Sequence, residues 1–280
     1  MIAFDFDYYK PRTAEEAARL FKQADAEGKQ PLYYGGGTEI ISMARMNQLR
    51  TGAVIDFKSI PECNVLQTKE GKLTIGAAIT LKRLEDEMEL FPLLGATVRD
   101  VADHSIRCKA TIGSHLCGKF YFREGLLPFL LVDSEAVLVG PEGRRTVPIS
   151  QILNGEPCLG KGELLVQVIS SERLFGMPYC TVKKTKMERI DYPIVRIAAL
   201  RTEQGVRIAF SGVSDIPFRS RELENILNNN SMPLNERIER VVQAWPAPIL
   251  DDLLASAPYR TFVLKNTLSE TMTALERRRV

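Results

Sequence analysis

The chain of 280 residues is poor in the side chains that build metal centres and hydrolytic sites. It has only two histidines, His104 and His115. That excludes a histidine-rich metal centre and argues against a histidine-based catalytic triad. Its five cysteines (Cys63, Cys108, Cys117, Cys158 and Cys180) are odd in number and scattered, with no Cys-x-x-Cys pair. A disulfide framework, a zinc site or an iron–sulfur cluster would need paired or clustered cysteines. They read instead as small buried apolar residues, and no metal is expected. Charge of one sign is also missing: 37 Lys and Arg against 35 Asp and Glu leave a net charge of +2. A nucleic-acid partner would require a basic excess. The longest apolar stretch, Gly125 to Gly140, is broken by Asp133 and Glu135, so no segment reads as a membrane span. The first residues, Met1 to Asp7, carry acids where a signal peptide carries bases. The expectation is a soluble cytoplasmic chain whose redox chemistry, if it has any, comes from an organic cofactor.

What is present is ordinary globular usage, 45% apolar and 26% charged, and a length suited to about two domains. Thr13 and Glu16 form a capping-box pattern ahead of a helix whose Ala17, Leu20 and Phe21 share a face. Pro31-Leu32-Tyr33-Tyr34 reads as a strand stopped by Gly35-Gly36-Gly37, Thr38 to Leu49 as a helix, and Ala53 to Asp56 as a buried strand. That order is an α/β unit with its turn at the carboxyl end of a strand. Lys72 to Gly76 reads as another strand and Leu81 to Leu90 as a helix. Ala136 to Val139 and Arg145 to Val147 form a hairpin pattern across Gly140-Pro141-Glu142-Gly143. Asn154 to Gly162 has the texture of an interdomain loop. The reading is a mixed domain over about residues 1–160, in lobes of about 1–56 and 57–160, followed by a smaller domain over 161–280. In the latter, Leu164 to Ile169, Cys180 to Lys184, Val195 to Arg201 and Val206 to Val213 read as strands, the last three as an antiparallel meander, with helices after them.

Two glycine turns carry the chemistry. In Tyr34-Gly35-Gly36-Gly37-Thr38-Glu39-Ile40, glycines after a strand let backbone N–H groups converge while the following helix N-terminus adds positive potential, which suits a phosphate or pyrophosphate. The turn is neither a Walker loop nor a full dinucleotide-binding fingerprint, and a turn chosen only for its backbone angles is the competing explanation. Ile106 to Leu116, containing Thr111-Ile112-Gly113-Ser114-His115, offers another cluster of backbone donors, plus hydroxyls and an imidazole. Two such loops from different lobes could grip both halves of one elongated dinucleotide.

With these residues the chain resembles the flavin subunits, or medium subunits, of molybdenum hydroxylases of the xanthine dehydrogenase and carbon monoxide dehydrogenase type. Gly35 to Ile40 is similar to that family's Ala-Gly-Gly-Thr-Asp-Leu, Leu73 to Leu81 to its Leu-x-Ile-Gly-Ala-x-Thr-Thr-Leu, and Ile106 to Leu116 to its Ile-Arg-Asn-x-Ala-Thr-Ile-Gly-Gly-Asn-Ile. Weaker matches at Leu127 to Leu131, Gly162 to Leu165, Ile208 to Val213 and Pro217 to Arg219 follow in the family's order.

The resemblance implies an α+β fold: a two-lobed FAD-binding domain of the p-cresol methylhydroxylase type, then a smaller domain of antiparallel sheet and helices. It implies that Gly35, Gly36, Gly37, Thr38, Glu39 and Ile40 hold the FAD pyrophosphate and that Thr111, Gly113, Ser114 and His115 form a second flavin loop. Glu124 would meet ribose or adenosine hydroxyls, Ile169 would lie close to the flavin, and Lys183 matches a basic residue before the next strand. The implied function is electron transfer without a catalytic acid, base or nucleophile. A partner subunit with the molybdenum cofactor would oxidise a heteroaromatic substrate such as a purine, and a subunit with two-iron two-sulfur clusters would relay electrons to FAD and on to NAD or another acceptor, in a heterotrimer. Ser114 and His115 stand where the family has glycine and asparagine, and Lys119-Phe120-Tyr121 where it has a small residue, aspartate and proline. Two alternatives therefore stay open: a flavin-free scaffold subunit of the same fold, and a stand-alone flavin oxidoreductase. Trp245 reads as a packing residue, Glu85 to Glu87 as a charged helix face and Arg277 to Arg279 as a solvated helix end. Asp191-Tyr192 fits either a position near the flavin or a surface turn.

Overall fold

A computed structural model describes residues 2–119, 122–153, 159–187 and 190–277. Phe120, Tyr121, Cys158, most of the expected interdomain loop, Arg278 and Arg279 lie outside the described residues. Among the described residues the strands form three sheets, and the chain divides into two compact units, each built from separated stretches.

The first unit comprises Met1–Leu84, His104–Lys119 and Asp133–Ser171. Its amino-terminal part is a parallel sheet of β1 (Asp7–Tyr9), β2 (Leu32–Tyr34) and β3 (Ala53–Asp56) in the order β1-β3-β2. All four residues of β3 are buried, as a central parallel strand requires. Helix α1 (Ala14–Ala26) starts where the sequence places it, with the Glu16 N–H donating to Thr13 Oγ1 at 3.1 Å. The Glu16 carboxylate closes the cap on the N–H of Arg12 rather than on that of Thr13. Ala14, Ala17, Ala18 and Ala24 are its buried residues, so small side chains let the helix lie close to its neighbours. Helix α2 (Thr38–Arg45) follows β2 directly through the three glycines.

The rest of the unit is an antiparallel sheet in the order β4-β5-β8-β6-β7, from β4 (Leu66–Lys69), β5 (Lys72–Gly76), β6 (Glu135–Gly140), β7 (Gly143–Pro148) and β8 (Leu164–Ser171). The expected hairpin forms, pairing Ala136 with Val147 and Leu138 with Arg145, and Gly143 has a φ of 111° that only glycine adopts readily. Leu164 to Ile169, expected to open the second domain, instead lies between β5 and β6 and joins them. The boundary placed near 160 therefore moves beyond the end of this strand, because its alternating buried residues complete the first unit's core.

The second unit comprises Glu85–Asp103, Phe120–Val132 and Glu172–Val280. Its antiparallel sheet runs β12-β11-β10-β9, from β9 (Tyr179–Thr185), β10 (Pro193–Thr202), β11 (Gly205–Ser211) and the short β12 (Phe218–Arg219). One face packs on the carboxyl-terminal helices, including Ala257–Arg277, with Ile197, Phe210, Leu223, Leu264 and Leu268 at the centre. The short helices Pro92–Val98 and Leu127–Leu131 also belong here, although they come from early in the chain. All five residues of Leu127–Leu131 are buried, so this helix needs protein on every side. Arg207 and Arg219 donate to its last carbonyls, those of Leu131 and Leu130, at 2.8 and 3.0 Å. Trp245 is a packing residue: it lies edge-on to Phe210 and Phe218, and its indole N–H donates to Ser214 Oγ.

Candidate functional site

The parallel sheet ends in the three glycines, and each is required for a different reason. A β-carbon on Gly35 would come within 2.6 Å of Thr111 Oγ1 and collide with Ser114 Oγ. One on Gly36 would overlap the main-chain carbonyl of Lys109. Gly37 has a φ of 72° and lies against the Tyr34 ring. The two glycine turns are thus in direct contact. They pack against each other within the first unit.

The donors of the two turns differ. Gly37 is the N-cap of α2 and has no side chain with which to cap it, and the first main-chain bond of the helix runs from Ile41 N–H to the Gly37 carbonyl. The N–H groups of Thr38, Glu39 and Ile40 therefore have no acceptor within the helix. The Glu39 carboxylate accepts from the Lys119 N–H at 2.8 Å and packs on Gly118. In the second turn, by contrast, the main-chain donors are already engaged. Ile112 and Gly113 donate to the carbonyls of Ile79 and Ala77 at 2.8 and 2.9 Å, Ser114 to Thr111 Oγ1, and His115 to the Thr111 carbonyl. The second turn is thus the start of a short helix, Ile112–Cys117, capped by Thr111. What it offers a ligand is side chains: the hydroxyls of Thr111 and Ser114, 2.9 Å apart, and the imidazole of His115. Of the expected backbone donors, hydroxyls and imidazole, the backbone donors are thus already engaged within the protein.

A cluster that the sequence reading missed supports the first turn. The Lys58 ammonium donates to the Gly35 carbonyl at 2.9 Å and to Asp56 Oδ2 at 2.7 Å, and lies 4.3 Å from the centroid of the Tyr34 ring. Asp56, at the end of β3, also accepts from the Tyr8 hydroxyl at 2.6 Å and from the Lys58 N–H. Burial pushes the Asp56 carboxyl up, but the hydrogen bonds from Lys58 and Tyr8 outweigh it and hold the group below its ordinary range. The same bond to Asp56, with burial, pushes the Tyr8 hydroxyl up to about 12. No glycine or nucleotide motif marks Lys58 or Tyr8; only the parallel register of β1, β2 and β3 brings their loops together.

The remaining expected site residues lie elsewhere. Ile169 is half-buried in β8, opposite Thr74 and Glu135. Glu124 and Lys183 meet in the second unit, where both are buried: Lys183 Nζ lies 2.9 Å from Glu124 Oε1 and also donates to the Asp100 carbonyl. Arg196, fully buried on β10 opposite Lys183, reaches Asp100 Oδ2 at 3.1 Å and lies 3.4 Å from Glu124 Oε2. Glu124 Oε2 itself has no hydrogen-bond partner among the described residues. The buried carboxylate thus lies between two of the protein's own cations, Lys183 at one oxygen and Arg196 near the other. Tyr192 stacks on Phe122, with ring centroids 4.7 Å apart.

Residues 4–169, more than half of the chain, match the family described as "FAD binding domain in molybdopterin dehydrogenase". The chain belongs to this family of molybdenum hydroxylase flavin subunits. FAD is accordingly its cofactor, and the chain is an oxidoreductase subunit. It is 23% identical to the carbon monoxide dehydrogenase medium chain of Hydrogenophaga pseudoflava over 98% of both chains. It is 26% identical to the glyceraldehyde dehydrogenase medium chain of Sulfolobus acidocaldarius over 79% of this chain and 80% of that one. The fold of the Hydrogenophaga pseudoflava carbon monoxide dehydrogenase superposes with a TM-score of 0.90 over the whole of both chains, at 23% identity. Quinoline 2-oxidoreductase from Pseudomonas putida 86 gives 0.84 over 97% of each, at 18% identity. The α+β, two-part fold expected from the resemblance is the observed one.

The glycine cradle fits the cofactor. A diphosphate needs several N–H donors on one side and no side chain in the way, and the uncapped start of α2 behind Gly35-Gly36-Gly37 provides both.

Proposed function

We propose that this chain is the electron-transfer subunit of a xanthine dehydrogenase-like hydroxylase. Partner subunits would carry the molybdenum cofactor and two-iron two-sulfur clusters, in a heterotrimer. Substrate oxidation would take place on the molybdenum partner, and two electrons would pass through this subunit to NAD or another acceptor. FAD supplies the redox chemistry, because it exchanges electrons singly with an iron–sulfur partner and in pairs with a nicotinamide.

The chain's own residues bind and orient. Gly36, Gly37, Thr38, Glu39 and Ile40 would offer main-chain N–H groups to the diphosphate, with Gly35 keeping the turn close to the second loop. Thr111, Ser114 and His115 would contribute hydroxyl and imidazole contacts, with Gly113 holding the short helix against Ala77. Glu124 would meet ribose or adenosine hydroxyls, with Lys183 beside it, and Ile169 would lie close to the flavin. No residue here is asked to move a proton. The observation that carries the reading is the α2 N-terminus behind three glycines, which no side chain caps.

The test is purification of the native complex with mass spectrometry of its chains, together with an absorption spectrum. Co-purification with a molybdenum subunit and a cluster subunit, flavin reduction on adding a purine, and reoxidation by NAD are expected. Isolation as a lone polypeptide that turns over substrate would favour a free-standing flavoenzyme instead.

A further inference from the structure

We infer that Lys58 is a positioning residue for FAD: it fixes the peptide between Gly35 and Gly36 so that the Gly36 N–H is presented to the diphosphate. The inference rests on the reading of the glycine turn as the diphosphate cradle. The peptide is trans, so its carbonyl and its N–H point in opposite directions. The Lys58 ammonium takes the carbonyl at 2.9 Å, which leaves the Gly36 N–H directed away from Lys58. Two consecutive glycines have the widest backbone freedom of any pair, and without a tether this peptide can rotate and turn its oxygen toward an anion.

The tether is itself held. One ammonium proton goes to Gly35, a second to Asp56 Oδ2 at 2.7 Å, and the charge lies over the Tyr34 ring. Asp56 is fixed in turn by the Tyr8 hydroxyl and by the Lys58 N–H, so the carboxylate cannot swing away from the lysine. The four members come from the three strands of the parallel sheet and the turns that follow them: Tyr8 in β1, Gly35 after β2, Asp56 at the end of β3 and Lys58 just beyond it. Parallel α/β sheets bind ligands at the carboxyl ends of their strands. Because Asp56 neutralises the ammonium, Lys58 acts here through geometry more than through its charge.

The two modes predict opposite effects for one variant. If Lys58 acts as a charge on the diphosphate, Asp56→Asn unmasks that charge and tightens FAD binding. If it acts by position, Asp56→Asn loosens the tether and weakens binding. The experiment is fluorescence titration of the deflavinated full-length chain with FAD, alongside its melting temperature without FAD. Lys58→Met is expected to raise the Kd by about 10- to 100-fold, Asp56→Asn by a smaller factor, and Lys58→Arg, which keeps a donor, by less than about threefold. The melting temperature without FAD should fall by no more than a few degrees in any of the three, so that the loss of affinity is not a loss of fold. Should Lys58→Met not fold, Asp56→Asn and Tyr8→Phe carry the test by the same criterion. Native affinity in Lys58→Met, tighter binding in Asp56→Asn, or no rescue by Lys58→Arg would overturn the inference. A native chain that binds no FAD would instead overturn the reading on which it rests.

Discussion

The α-carbon of Gly36 faces the main-chain carbonyl of Lys109 so closely that a β-carbon would overlap the carbonyl oxygen. Since the obstacle is backbone, no rotamer change can relieve it, and one of the two turns must move. Gly36→Ala is therefore expected to cost on the order of 1–3 kcal/mol and to separate the two turns. Flavin absorbance of the purified variant should be lost, while Gly176→Ala, where a β-carbon meets nothing within 4 Å, should retain it. Full flavin content in Gly36→Ala would contradict the packing described.

Ser114 stands where the resemblance would place a glycine, and the structure shows what it touches there. Its hydroxyl is shared with Thr111 Oγ1 at 2.9 Å and fills the space above Gly35. Ser114→Gly removes that bond and adds backbone freedom in the first turn of a short helix, at a cost of about 1 kcal/mol. The expected outcome is a melting temperature lower by a few degrees with FAD affinity within about fivefold of native, because the main-chain donors lie in the other turn. A large gain in affinity would mean that the serine obstructs the cofactor.

How far the sequence reaches is clear from these residues. Local patterns identified α1, the glycine turn, the β6–β7 hairpin and the meander, because each depends on neighbours within a few positions. The placing of β8 between β5 and β6 was not legible: an alternating strand pairs with whatever edge is available, and the partners lie far away in the chain. The same holds for Lys58, whose use depends on parallel pairing of β2 and β3. The second glycine turn misled for a different reason. Its composition is that of a donor loop, but donors count only when unpaired, and Thr111, Ile79 and Ala77 had already taken them.

Lys183 and Glu124 form an ion pair from which water is nearly excluded, with side chains 6% and 5% exposed. Removing one partner of such a pair strands the other charge. Lys183→Met should cost about 3–5 kcal/mol, which for a protein of this size lowers the melting temperature by roughly 10 °C. The double variant Lys183→Met/Glu124→Gln should recover part of the loss, since no uncompensated carboxylate remains. A single variant as stable as the native chain would show that the carboxylate finds a substitute in Arg196, which lies 3.4 Å from its other oxygen.

The Asp56 carboxyl titrates below its ordinary range in the folded chain, so the sign of its pH dependence is fixed. A depressed folded value means that its contribution is fully present above the unfolded value, about 3.9, and is lost as pH falls through the folded one. The difference in melting temperature between the native chain and Asp56→Asn should be constant from neutral pH down to about 5, then shrink below about 4. A difference that instead widened on acidification would contradict the ion pair with Lys58.

Cys63 is fully buried, and burial, helped by the charge of Glu62, pushes its thiol up to about 12. Cys108 is exposed, with its sulfur 3.5 Å from His104 Nε2. Since the thiolate is the reacting species, the two should part sharply under an alkylating reagent at mild pH. Peptide mapping of the native chain should find Cys108 modified within minutes and Cys63 untouched, with Cys63 reacting only after denaturant exposes it. Rapid modification of Cys63 in the folded chain would mean that the segment Pro61–Asn64 opens, and with it the packing of the Cys63 carbonyl against Gly76 at the end of β5.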